Sequence, residues 1–167
     1  TTSLRGMVSQ VLTVRTLDHA LHSGMFGGPL PDAMTAMIKL LSTLNDAEGS
    51  VAIKGLKSVA VAGPDFSDDE FRALAGLMPG VERIGTKSLT QQIWGEPAVT
   101  VIGIDAPTVA LSSNTAQPSV SAKISLRLAP NQDPAEGLSA LQDHLGEHVP
   151  FGAELILGAT ESGPGYL

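Results

Sequence analysis

The chain of 167 residues contains no cysteine. It can therefore form neither a disulfide nor a thiolate metal site, and it has no thiol nucleophile. A chain without thiols suits a reducing compartment, and we expect the cytoplasm. Cationic residues are also few, with 10 Lys and Arg against 17 Asp and Glu and a net charge of −7. Because binding to a phosphate backbone needs clustered cations, no nucleic-acid partner is expected.

Long apolar runs are missing as well. The longest uncharged stretch, 106–122, contains Pro, Ser, Asn and Gln, so no membrane partner is expected. Hydrophobic residues at 43% and charged residues at 16% are typical of a folded domain. The length suits one domain over 1–167. A start at Thr1 without a leader-like segment and an abrupt tail at Leu167 suggest a piece excised from a longer protein.

Alternating side chains predict the strands. Two strong patterns run over Val8–Thr16, where Gln10 and Val11 interrupt the alternation, and over Val120–Leu128. Two weaker patterns predict a possible edge strand over Ala98–Ile104 and a short final strand over Ala153–Leu157.

Capping residues and helical spacing predict two main helices. Asp32 can cap the first, whose apolar positions are Met34, Met37, Ile38, Leu41 and Leu44. Asp133, Pro134 and Glu136 open the second, which must end before Pro150.

The resulting order of strand, helix, strand, strand, helix, strand predicts an α+β fold. It is the ferredoxin-like βαββαβ arrangement, a four-stranded antiparallel sheet with two helices on one face. The segment 51–96 is too long for a connection in this fold, so we expect an insertion with structure of its own. Ser67 and Glu70 form a capping box for one short helix there.

One Gly-rich segment carries a titratable ring. Residues 21–28 read Leu-His-Ser-Gly-Met-Phe-Gly-Gly and run into Pro29 and Pro31 ahead of the first helix. Glycines 24, 27 and 28 permit positive φ and close approach of another molecule. His22 is therefore either a hydrogen-bond donor presented to a ligand or a structural histidine of the turn.

A strand, His-Ser-Gly-x-Phe-Gly-Gly and a Pro-flanked helix together resemble a known module. It is the lid, or dimerisation, domain of the two-zinc peptidases that include carnosinase, acetylornithine deacetylase and succinyl-diaminopimelate desuccinylase. The resemblance implies a homodimer in which His22 enters the partner's active site and stabilises the tetrahedral oxyanion, with Gly27 and Gly28 beside the substrate. One departure is Ala20, where the family often has Asp.

Two further segments match the family. Ser125-Leu126-Arg127-Leu128-Ala129-Pro130 resembles its Ser-x-Arg-x-x-Pro stretch, which implies that Arg127 binds the substrate's terminal carboxylate. Residues 114–118 resemble an Asn-x-x-Pro turn with one extra residue, which implies substrate contact by Asn114.

The chain lacks the zinc-binding motifs of these peptidases, His-x-Asp and Glu-Glu. The resemblance therefore implies a zinc-dependent dipeptidase or amidohydrolase whose zinc is bound by a catalytic domain outside this chain. The substrate would be a peptide or an N-acyl amino acid. We expect this chain alone to be inactive.

Two alternatives stay open at this stage. His144-Leu145-Gly146-Glu147-His148 has the spelling of a His-x-x-Glu-His zinc motif, which would make the chain a self-contained protease. Histidines near a helix C-terminus are also favoured by the helix dipole, so we expect no metal ligands there. The other alternative is a stand-alone ferredoxin-like module that dimerises to sense a small ligand.

Overall fold

The computed structural model describes residues 3–167, which form a four-stranded antiparallel sheet with two helices on one face. The main sheet has the order β3-β5-β1-β6, and β2 and β4 form a separate pair. The strands are β1 (Gly6–Arg15), β2 (Leu21–His22), β3 (Ala98–Asp105), β4 (Thr115–Ala116), β5 (Ser119–Leu128) and β6 (Glu154–Gly163). The helices are α1 (Ser23–Phe26), α2 (Ala33–Ser42), α3 (Asp68–Ala75), α4 (Leu89–Trp94) and α5 (Pro134–His148). This topology confirms the predicted α+β fold.

Strands β1 and β5 form the centre of the sheet. They pair over their whole length, from Gly6 opposite Leu128 to Arg15 opposite Ser119. Alternate apolar residues of both strands are buried beneath α2 and α5, as the alternation predicts. In the described part of the chain, α2 and α5 are the helices that pack against the main sheet.

The break in apolar alternation at Gln10 and Val11 does not interrupt strand β1. The strand runs through Gln10, whose fully buried side chain faces the helices. The irregularity lies in β6 instead, where the register with β1 shifts between Gln10 and Leu12. Gln10 Nε2 donates to the carbonyl of Gly158 at this shift (3.1 Å), and Gln142 Nε2 donates to Gln10 Oε1 (2.8 Å). Gln10, although polar, therefore has a role in the core, because it bonds a backbone carbonyl at a β-bulge.

Both main helices begin where predicted. Asp32 accepts a hydrogen bond from the backbone N–H of Thr35 (2.9 Å), and Asp133 accepts one from that of Glu136 (3.4 Å). The helical spacing predicted that Ile38 lies on the apolar face of α2. This was wrong, because Ile38 is 58% exposed. Small side chains let α2 approach the sheet closely, so its buried residues are Ala33, Ala36, Met37 and Leu40.

The last strand is longer than predicted. β6 extends to Gly163 and not only to Leu157, because an edge strand needs no alternating apolar face in order to pair. β3 is the other edge of the sheet, as expected.

The insertion 51–96 contains two short helices. Ser67 caps α3 by accepting from the N–H of Glu70 (3.1 Å), as the capping box predicts. The six-residue α4 was not predicted, because so short a segment has no measurable periodicity. No helix within residues 3–167 is long and apolar enough to cross a membrane.

Replacing Gln10 with Leu should destabilise the chain by about 1–3 kcal/mol, because Gly158 and Gln142 would each lose a buried partner. Urea unfolding followed by circular dichroism measures this change. Ser125→Ala, on the face without helices, serves as the control and should change stability by less than about 0.5 kcal/mol. Equal effects of the two substitutions would contradict the role given to Gln10.

Candidate functional site

His22 lies on a short turn that joins two parts of the chain. It pairs with Thr115 in the β2–β4 ladder, and α1 follows directly. The backbone N–H and the hydroxyl of Ser23 both donate to the carbonyl oxygen of Asn114 at 3.0 Å. The structure therefore brings His22 and Asn114 together, and both residues are exposed.

The ring of His22 is oriented by its own turn. The backbone N–H of Gly24 donates to His22 Nδ1 (3.1 Å). A neutral ring that accepts at Nδ1 carries its proton on Nε2, so the exposed edge of the ring presents an N–H donor. Asp18 contacts His19 instead of His22, and both of these residues are exposed. Gly24 thus orients the ring, while the residue two before His22 is Ala20, which offers no carboxylate.

The glycines of the turn serve two different purposes. Of the three glycines that permit a positive φ, Gly28 adopts one, at 115°, whereas Gly24 and Gly27 do not. At Gly27 a Cβ would lie 2.3 Å from the carbonyl oxygen of Ser23, which bonds the Gly27 N–H. Close approach within the turn therefore excludes a side chain at Gly27.

Arg127 lies at the opposite end of the sheet from His22. It is exposed and pairs with Met7 near the start of β1, whereas His22 follows Arg15 at the end of that strand. From Met7 to Arg15 the strand rises by about 27 Å. A dipeptide spans only about 7 Å. The strand pairing therefore places Arg127 and the His22 turn at opposite ends of the sheet.

A second arginine, missed by the sequence analysis, lies near Arg127. Arg5 precedes β1, and its Nη1 donates to the backbone oxygens of Gln92 (3.4 Å) and Glu96 (3.3 Å). Burial, and after it the charge of Arg127, lowers the pKa of Arg5. The alternation of β1 could have revealed it, since Arg5, two residues before Met7, falls on the same face of the sheet as Met7.

The histidines near the end of α5 make local contacts. His144 is buried, and its Nε2 lies 2.9 Å from the hydroxyl of Thr43. His148 Nδ1 bonds the carbonyl of His144 (2.7 Å), and the two rings stack 3.9 Å apart. Within residues 3–167 no three His, Asp or Glu side chains come close enough together to hold a metal ion. This part of the chain does not fit a zinc site.

The fold and the exposed His22 turn define a ferredoxin-like α+β module that presents polar groups at both ends of its sheet. The family model of the peptidase dimerisation domain, M20_dimer, matches residues 2–153. The chain belongs to this family.

The curated relatives include dipeptidases. Cysteinylglycine-S-conjugate dipeptidase of Corynebacterium striatum is 31% identical over 96% of this chain and 36% of its own length. Beta-Ala-His dipeptidase of Homo sapiens is 24% identical over 87% of this chain and 30% of its own length. The chain thus spans about a third of the length of these relatives.

Solved structures share the fold. Human carnosine dipeptidase 1 superposes with a TM-score of 0.78 at 20% identity, over 100% of this chain and 38% of that one. Dug1p of Saccharomyces cerevisiae gives 0.77 at 22% identity with the same coverage.

The buried His144 should make the stability of the chain depend on pH. Burial, followed by the neighbouring His148, lowers the pKa of His144, although Glu147 and Thr43 oppose the shift. The folded state then binds fewer protons than the unfolded state, so stability is complete above about pH 6.5 and decreases as pH falls below it. Urea unfolding between pH 5 and 8 measures this, and His144→Gln should flatten the profile. An unchanged profile in that variant would contradict the assignment.

Proposed function

We propose that this chain is the dimerisation and substrate-capping domain of a zinc-dependent dipeptidase or amidohydrolase that acts as a homodimer. The substrate is a peptide or an N-acyl amino acid with a free carboxylate, and the names of the dipeptidase relatives support this class. Residues 1–167 act as one such domain. The absence of cysteine suits a cytoplasmic enzyme.

The observation that carries the proposal is the placement of His22 and Arg127 relative to strands β1 and β5. The two groups that a short substrate needs lie at opposite ends of one sheet. They can serve one substrate only if they come from different protomers. His22 of one protomer therefore completes the site of its partner, beside the partner's Arg127.

A two-fold axis through an edge of the sheet supports this exchange. Antiparallel pairing of two β3 strands would set Ala98 of one copy near Asp105 of the other. Since Ala98 pairs with Arg127 and Asp105 pairs with Ser121, the Arg127 end of one sheet would lie beside the His22 end of the other.

The composition of the two edges favours β3. Its exposed apolar residues are Val101, Ile102 and Ile104. The edge β6 instead carries Glu154 and Glu161, which pair with Arg15 and Lys123. Charged edges resist pairing, whereas an apolar edge promotes it. Arg127 is also one strand from the β3 edge and two from the β6 edge.

Each site residue has a distinct task in this proposal. His22 donates its Nε2–H to the developing oxyanion of the scissile carbonyl, and the Gly24 N–H fixes the ring that does so. Arg127 binds the terminal carboxylate bidentately. Gly27, Gly28 and Asn114 line the approach to the His22 turn. Closure of the domain over the substrate excludes water.

Zinc belongs to the catalytic part of the enzyme, outside the described residues, which form no metal-ligating group. It supplies an activated water for hydrolysis. The domain alone is therefore inactive.

Mixed dimers of the full-length enzyme test the exchange of His22. His22→Ala alone should lower kcat by about 10² to 10³ without loss of zinc, as expected for one lost oxyanion donor. Co-refolding equal amounts of the His22→Ala and Arg127→Ala enzymes should restore activity to about a quarter of wild type. Half of the dimers are then mixed, and each mixed dimer has one intact site. Steady-state kinetics measures the recovery.

If both residues acted within one chain, every site in the mixed dimer would lack one of them. Activity would then stay at the level of the separate variants, and the proposal would be wrong. Mixing His22→Ala with itself controls for refolding.

The edge assignment predicts the effect of Ile102→Lys. A charge on the β3 edge should convert the dimer to monomers, as measured by light scattering. Ile156→Lys on β6 introduces the same charge and should leave the dimer intact. Dissociation by Ile156→Lys alone would move the interface to β6.

A further inference from the structure

The end of the sheet near Arg127 carries two cations that no acid neutralises. Within residues 3–167, no carboxylate oxygen lies within 4.0 Å of Arg5 or of Arg127. In contrast, Lys87 in the same region is paired with Glu96 at 2.8 Å. Glu96 lines the same cleft as Arg5, but its carboxylate pairs with Lys87 and not with Arg5.

Strand alternation places Arg5 and Arg127 on one face of the sheet. Arg127 lies opposite Met7, and Arg5 lies two residues before Met7, between the Leu4–Tyr166 bridge and Gly6, the first residue of the β1–β5 ladder. The charge of Arg127 contributes to the lowered pKa of Arg5, which indicates that the two charges interact. Like charges this close repel each other unless an anion lies between them.

Arg5 is held in place but keeps donors to spare. Among residues 3–167, its bonds are those of Nη1 to the carbonyls of Gln92 and Glu96. A guanidinium has five N–H donors, so several stay available. Arg5 also lines a cleft of about 400 Å³ that includes Ala98, the residue paired with Arg127. A ligand can therefore reach it.

We propose that Arg5 is a second carboxylate-binding residue, which together with Arg127 binds the terminal carboxylate of the substrate between two guanidinium groups. This inference rests on the proposed function. It adds a specificity-determining residue that the sequence motifs do not contain, and it explains why both arginines lack an acidic partner.

The test compares a dipeptide with its C-terminal amide in the full-length enzyme. Arg5→Gln should raise KM for the free dipeptide by about tenfold to a hundredfold, with kcat nearly unchanged and a much smaller effect on the amide. Arg5→Lys controls for misfolding, because the lysine keeps the positive charge and a donor for the carbonyl of Gln92 or Glu96. It should give an intermediate rise in KM for the free dipeptide.

Lys54→Gln removes one exposed cation from the helix side of the domain and should change neither KM. Because both arginines act on one carboxylate, the effects of Arg5→Lys and Arg127→Lys on KM should not multiply in the double variant.

The outcomes separate the two proposals. If Arg127→Lys discriminates between the two substrates but Arg5→Gln and Arg5→Lys affect both substrates equally, Arg5 does not bind the carboxylate, and the proposed function stands. If Arg127→Lys does not discriminate either, the carboxylate assignment in the proposed function is wrong, and the role of Arg5 is wrong with it.

Discussion

The rise of one β-strand sets the geometry on which the function of this domain depends. Strand β1 runs ten residues from the arginine end of the sheet to the histidine end. Its length is several times that of a dipeptide, and no rotation of a side chain spans it. In the proposed function, a domain built in this way supplies half of a site at each end. Two-fold symmetry is then a requirement of the proposed chemistry, since a second copy brings the complementary half.

The core keeps those two ends at a fixed separation. β1 pairs with neighbours on both sides, and alternate residues of β1 and β5 are fully buried against α2 and α5. A close-packed interior of this kind deforms little, so the ends of the strands behave as rigid supports. The buried polar side chain of Gln10 bonds the backbone at the bulge of β6. The central pairing of β1 with β5 stays continuous. The groups proposed to meet the substrate project from this frame on short turns and strand ends.

Local signals predicted the frame better than the site. The alternation of β5 and the caps Asp32 and Asp133 were readable because each depends on neighbours in sequence. The inward face of α2, the burial of Gln10 and the length of β6 depend on what lies opposite them in the folded chain. The motif identified His22 and Arg127, but their separation follows from strand pairing. Arg5 belongs to no motif quoted for the family, and only the register of β1 and β5 places it beside Arg127.

The insertion 51–96 supplies hydrogen-bond acceptors for Arg5. An arginine next to another cation, with no carboxylate bonded to it, would turn toward solvent unless something held it. The carbonyl of Gln92 in α4 and that of Glu96 just beyond the helix accept from Arg5, so the insertion supplies the acceptors that keep this side chain at the end of the sheet. Backbone carbonyls hold a guanidinium without neutralising it, whereas a carboxylate would compete with the substrate for it. Bonding Arg5 through backbone carbonyls, while Lys87 pairs the nearby Glu96 carboxylate, thus preserves an attraction for an incoming anion in the proposed role.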